Sequence, residues 1–140
     1  MANEATVRSS LQILKGNIDY QSRPTSHQED VTGTNGPCPG AVTATVAGVD
    51  VDFSPLVTPG LVSIHNLDAT NYVDYGNWDP VTSTFFPLGE VPAGTSYTFR
   101  LSRNLGQEYG TGTGTTGTGA TFRVKADTAS CNVVIEAFEA

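Results

Sequence analysis

Two histidines, two cysteines and fourteen acidic residues hold the chemistry that this 140-residue chain has to offer. His65 stands two residues after Ser63 and three before Asp68, so the ingredients of a nucleophilic triad lie close together in sequence. A triad also needs a supported nucleophile and a pre-aimed oxyanion site, and no G-x-S-x-G elbow or equivalent accompanies Ser63. His65 therefore reads as a structural strand histidine, and the chain is not expected to be an enzyme. Asp50, Asp52, Asp68, Asp74 and Asp79 offer oxygen ligands of the kind a hard cation takes, but none sits in an Asp-x-[Asn/Asp]-x-[Asn/Asp]-Gly loop. They read as a solvated acidic surface, with no metal or cofactor expected. Cys38 and Cys131 lie too far apart for a metal-ligand pattern and are expected to be free, reduced thiols. The Gly/Thr tract Tyr109 to Ala120, YGTGTGTTGTGA, contains Gly spacings that imitate a phosphate loop, yet it lacks the lysine such a loop uses to meet phosphate.

Charge narrows the partners. Fourteen Asp and Glu against seven Lys and Arg give a formal net charge of −7, with the cations scattered from Arg8 to Lys125. Affinity for nucleic acid rests on clustered cations that release counterions, so direct nucleic-acid binding is not expected. The N-terminus has no basic stretch followed by an apolar one, and no apolar run reaches membrane-spanning length. The expectation is synthesis in a cytoplasm and no membrane partner.

The elements that must position these residues are strands. No window of ten or more residues carries helical apolar spacing, whereas β-branched and aromatic residues cluster between Gly- and Pro-rich punctuation. Val7, Leu11 and Ile13 share a parity ahead of Lys15-Gly16-Asn17, which predicts an N-terminal hairpin returning through Ile18-Asp19-Tyr20. Residues 21–40 are polar and end in a dense Gly/Pro cluster, predicting a loop or arm, part of which could pair with a neighbour. Ala41 to Val46 and Val49 to Phe53 follow as strands, with Gly48 at their junction. Leu61 to His65 and Tyr72 to Tyr75 read as a hairpin about Asn66–Asn71, whose Asn and Asp side chains suit a turn. Trp78 is placed in the next turn, and Ser83 to Leu88, Tyr97 to Leu101, Thr121 to Lys125 and Cys131 to Phe138 complete the strands. Phe99 and Ile135 are expected in the core. The whole predicts one all-β domain over 1–140, an antiparallel β-sandwich of jelly-roll-like type, with a polar loop or arm at 21–40 and a flexible Gly/Thr loop at 110–120.

Three phrases carry a resemblance: SIHNLDATNYVDYG from Ser63 to Gly76, FFPLGEVPAGTSYTFRL from Phe85 to Leu101, and VKADTASCNVVIEAFE from Val124 to Glu139. Together they resemble small β-sandwich structural proteins of tailed bacteriophages, some of which decorate or cement the capsid while others belong to the head–tail connection or tail. The resemblance implies a non-enzymatic capsid decoration protein that bridges subunits of the major capsid protein lattice on the virion surface, as a homo-oligomer and preferably a trimer. A receptor- or glycan-binding module of a tail is the alternative, with Tyr72, Tyr75, Trp78 and Tyr109 as stacking surfaces. The expected interface residues are His27, Glu29, Pro37, Trp78 and Tyr109. The Gly/Thr tract and the Gly36–Gly40 loop depart from the phage pattern.

Overall fold

The computed structural model describes residues 4–31, 33–102 and 121–139. They fall into two compact units, Met1–Thr32 and Gly33–Ala140.

The first unit is a long two-stranded ribbon. β1 (Ala5–Ser9) pairs antiparallel with β4 (Thr25–Glu29), and β2 (Gln12–Lys15) pairs with β3 (Ile18–Gln21) around Gly16-Asn17. The predicted hairpin is present, and its return arm continues into the segment read as a polar loop. Between the two ladders the outgoing arm has Ser10 and Leu11, whereas the return arm has Ser22, Arg23 and Pro24, so the return arm carries an extra residue there. Ser22 bridges the step: its N–H donates to the Leu11 carbonyl at 2.8 Å, and its hydroxyl accepts the Leu11 N–H at 2.7 Å.

The second unit contains two four-stranded antiparallel sheets with sandwich-like packing. The first has the order β10-β7-β12-β5, built from β5 (Cys38–Ala44), β7 (Pro59–Asn66), β10 (Ser96–Arg100) and β12 (Cys131–Glu139). The second has the order β6-β11-β8-β9, built from β6 (Val49–Asp50), β8 (Val73–Asp79), β9 (Thr84–Val91) and β11 (Thr121–Ala126). Both sheets are open. Alternation decides the core: Val133, Ile135 and Ala137 of β12 and Val124 and Ala126 of β11 point inward with Val62, Ile64, Val73 and Val91. Ile135 is fully buried as expected. Phe99 is half-buried, stacked on Tyr75 at 4.8 Å between ring centroids. Gly89, opposite Tyr75 in the ladder, leaves the space that the Tyr75 ring fills.

The predicted hairpin between Leu61 and Tyr75 is not formed. β7 lies in the first sheet and β8 in the second, so Asn66–Asn71 carries the chain across the sandwich. The turn bonds are present but make a crossing, because the same side-chain bonds serve a hairpin and a crossing. Asp68 accepts the N–H groups of Thr70 and Asn71 at 2.8 and 2.7 Å, which bends the segment. Buried Asn66 then donates its side-chain amide to the carbonyls of Asn71 and Val91 at 2.8 and 3.1 Å and accepts the Asp68 N–H at 3.0 Å. Trp78 is likewise in β8 and not in a turn. The turn comes after Asp79, whose carboxylate accepts the Val81 N–H and the Thr82 hydroxyl. The Gly/Thr loop at 110–120 lies outside the described residues.

Truncating Ile135 to Ala should cost about 2–5 kcal/mol by removing fully buried carbon from the core between the sheets. Asn66→Ala should cost about 1–3 kcal/mol, because the Val91 carbonyl would be left buried without its donor. Urea midpoints read against the unaltered chain check both, and an Asn66→Ala midpoint equal to the parent's would show that the crossing holds without this amide.

Candidate functional site

The side chains that could act on something outside the chain stand in three places. On the outer face of the first sheet, Ser63 and His65 of β7, Thr98 of β10 and Glu136 of β12 point away from the core at neighbouring ladder positions. His65 Nε2 lies 3.1 Å from Ser63 Oγ and 3.3 Å from Glu136 Oε2, and the Thr98 hydroxyl donates to Ser63 Oγ at 3.2 Å. A relay needs the acid on one imidazole nitrogen and the hydroxyl on the other. Here a single nitrogen faces both, so the cluster is a polar cross-strand ladder and not a charge-relay arrangement.

On the second sheet, Arg123 alternates outward between buried Phe122 and Val124. Its guanidinium carbon stands 3.8 Å from the centroid of the Trp78 ring, and its Nε donates to Asp50 Oδ1 at 2.6 Å. The arrangement depends on Gly48, whose φ of +89° and missing Cβ leave room for the Arg123 stem. Trp78 thus has one face covered by a cation, and Asp50 is committed to that cation.

Asp68 and Asp79 are committed to bonds within their own turns. Asp68 is held below the usual carboxylate range by the N–H groups of Asn71 and Thr70. Asp79 is lowered by the Thr82 hydroxyl and then the Val81 N–H. Asp74 is raised, chiefly by burial, with Lys125 opposing and Asp127 reinforcing the shift. The charge of Asp127 also raises the Tyr72 phenol. Among the described residues no group of three or more His, Cys, Asp or Glu is placed to hold a metal ion. Cys38 and Cys131 are free and buried, and burial raises both thiols, so neither is poised as a nucleophile.

The third place is the ribbon. Register puts Ile13 opposite Tyr20 and Lys15 opposite Ile18 on one face, with Leu11 two residues before Ile13. Leu11, Ile13, Ile18 and Tyr20 are 41–56% exposed, and Leu14 on the other face is 76% exposed. Of the expected interface residues, His27 and Glu29 are here on β4, joined Nε2 to Oε1 at 3.1 Å. Pro37 is exposed just before β5, Trp78 lies under Arg123, and Tyr109 falls outside the described residues. Within the second unit, Pro37 and Trp78 stand on different sheets' segments, the one leading into β5 and the other in β8. The apolar stripe and the Asp50–Arg123–Trp78 group were not singled out from sequence. The stripe had a signal in the parity that continues from Leu11 through the Lys15-Gly16-Asn17 turn, whereas the group depends on a three-strand register that no local pattern carries.

Comparison of the chain with family models, with curated proteins and with solved structures returns no match.

Replacing Arg123 by Ala should uncover the sole Trp. Its emission should move to longer wavelength and become more open to acrylamide, with a stability loss of about 0.5–2 kcal/mol from the cation–π contact. Unchanged Trp78 emission would show that the guanidinium does not cover the ring in solution.

Proposed function

We propose that this protein is a structural component of a tailed-bacteriophage virion, a capsid decoration or cement protein that bridges subunits of the major capsid protein lattice on the head exterior. The observation that carries the proposal is the ribbon. Two strands with apolar side chains open to solvent are at best marginally stable alone, so this unit gains its stability by covering that surface with a partner. The resembling phrases add to it, because Ser63 to Gly76 and Val124 to Glu139 map onto two sheet-crossing connections and their flanking strands and thus onto scaffold. A jelly-roll-like winding belongs to the same proposal, the ladders themselves defining two open sheets.

The mechanism is mechanical and involves no catalysis. A subunit that binds the assembled lattice and not its dissociated parts stabilises assembly by linkage, and repeated copies multiply modest contacts through effective concentration. A homo-oligomer, preferably a trimer, suits a junction where several shell subunits meet. The receptor- or glycan-binding alternative is less well supported, since Trp78 has a face occupied by Arg123 and Tyr75 is stacked on Phe99 beside the core.

Added to shells depleted of it, the protein should raise their resistance to heat or osmotic shock and should bind assembled shells far better than isolated major capsid protein. Equal binding to free shell protein, or no gain in particle stability at saturating occupancy, would contradict the proposal and favour the receptor-binding reading.

A further inference from the structure

We propose that the ribbon of one copy docks on strand β9 of a second copy, so that the chain assembles head to tail. This deepens the reading of the protein as an assembling structural component.

Charge and apolar surface choose the occupant. From Arg8 to Pro24, the stretch that bears the stripe, the ribbon has three cations, Arg8, Lys15 and Arg23, against the single acid Asp19, and its second acid, Glu29, lies at the far end of β4. The β8–β9 hairpin, Val73 to Val91, has three acids, Asp74, Asp79 and Glu90, and no cation. The hairpin also carries apolar surface of its own. β9 is the edge strand of its sheet, and Phe86 and Leu88 are 52% and 65% exposed along it. Leu88 is the unpaired residue of a bulge, since Tyr75 faces Gly89 while Gly76 faces Pro87. Bulge and proline together discourage simple strand addition at this edge and leave a side-chain surface instead. An apolar stripe among cations on one element thus meets two exposed apolar residues among acids on the other. Packing ribbon against ribbon would cover the stripe but would set an excess of like charge together, and packing β9 against β9 would do the same with the opposite sign. Opposed charge both steers encounter and rejects the wrong pairing.

Donor and acceptor are different patches, so the contact is heterologous, and such contacts form rings where the rotation closes. Three copies closing in this way give the trimer that a three-fold junction accepts. Each copy then has both its ribbon stripe and its β9 edge covered.

The test is oxidative cross-linking of the full chain in free solution, so it can fail without bearing on shell binding. Cys38 and Cys131 are buried and do not compete. An Ile13→Cys, Leu88→Cys double variant should give chains linked in twos and threes that collapse to one band on reduction, while each single variant should stay unlinked. Pairing Lys15→Glu with Arg23→Glu should weaken self-association by about tenfold or more, and adding Asp79→Lys with Glu90→Lys should restore it. Four results would overturn the proposal: linkage of the Ile13→Cys variant alone, which would mean ribbon against ribbon; a bond confined within one chain; no linkage at all; or no rescue by the charge exchange.

Discussion

The buried amide of Asn66 is the interaction on which the sandwich depends. In the second unit, the β8–β9 connection alone joins consecutive described strands of one sheet, and the others cross between sheets. Crossing segments expose backbone polar groups at the end of the core, where each must find a partner or cost free energy. Asn66 answers for several at once: its side chain takes the Asn71 and Val91 carbonyls and the Asp68 N–H, and its own N–H donates to Thr95 at 2.9 Å. The neighbouring crossing is tied to the same end through the Thr128 hydroxyl on Asn71 Oδ1 at 2.7 Å and the Leu67 N–H on the Asn132 carbonyl at 3.0 Å. Three connections are thereby set by one polar cluster, and the apolar strands they join fall into register over Ile64, Val73, Val133 and Ile135.

At another part of the unit a carboxylate does comparable work. Glu139 is buried and accepts the Val57 N–H at 2.7 Å and the Asn35 side-chain amide at 3.4 Å, which holds the segment before β5 and the loop before β7 to the end of β12. The second unit therefore closes polar groups at its connections and apolar ones in a core, while Phe86 and Leu88 stay exposed on β9. No described residue of the ribbon is buried. Its backbone is paired, but Leu11, Ile13, Leu14, Ile18 and Tyr20 stay in contact with solvent. That contrast between a unit with a core and one without supports the proposed assembling role.

Strand identity was legible where alternation was clean. Val133, Ile135 and Ala137 announced an inward face, and Lys15-Gly16-Asn17 announced the ribbon turn. Connectivity was less legible. The residues of Asn66–Asn71 encode a bend, but whether the bend returns to the same sheet depends on partners as remote as Val91 and Asn132, which no local window contains. Trp78 was misplaced for a similar reason, since Asp79-Pro80 signals the turn and β8 runs up to it. Thr25–Glu29 has little strand propensity and becomes β4 because β1 lies opposite. Of the candidate site, His27 and Glu29 were legible as a local pair, whereas the covering of Trp78 by Arg123 needs β6, β11 and β8 side by side.

Hydrogen exchange on the full-length protein, first as a dilute single chain and then bound in assembled particles, tests the central claim most directly. Amides of β7 and β12 should be protected in both states, while those of β2 and β3 should exchange quickly in the dilute chain and become protected only on assembly. Ribbon amides protected equally in the dilute chain would contradict the account, because they would show that the apolar stripe is already covered without a partner.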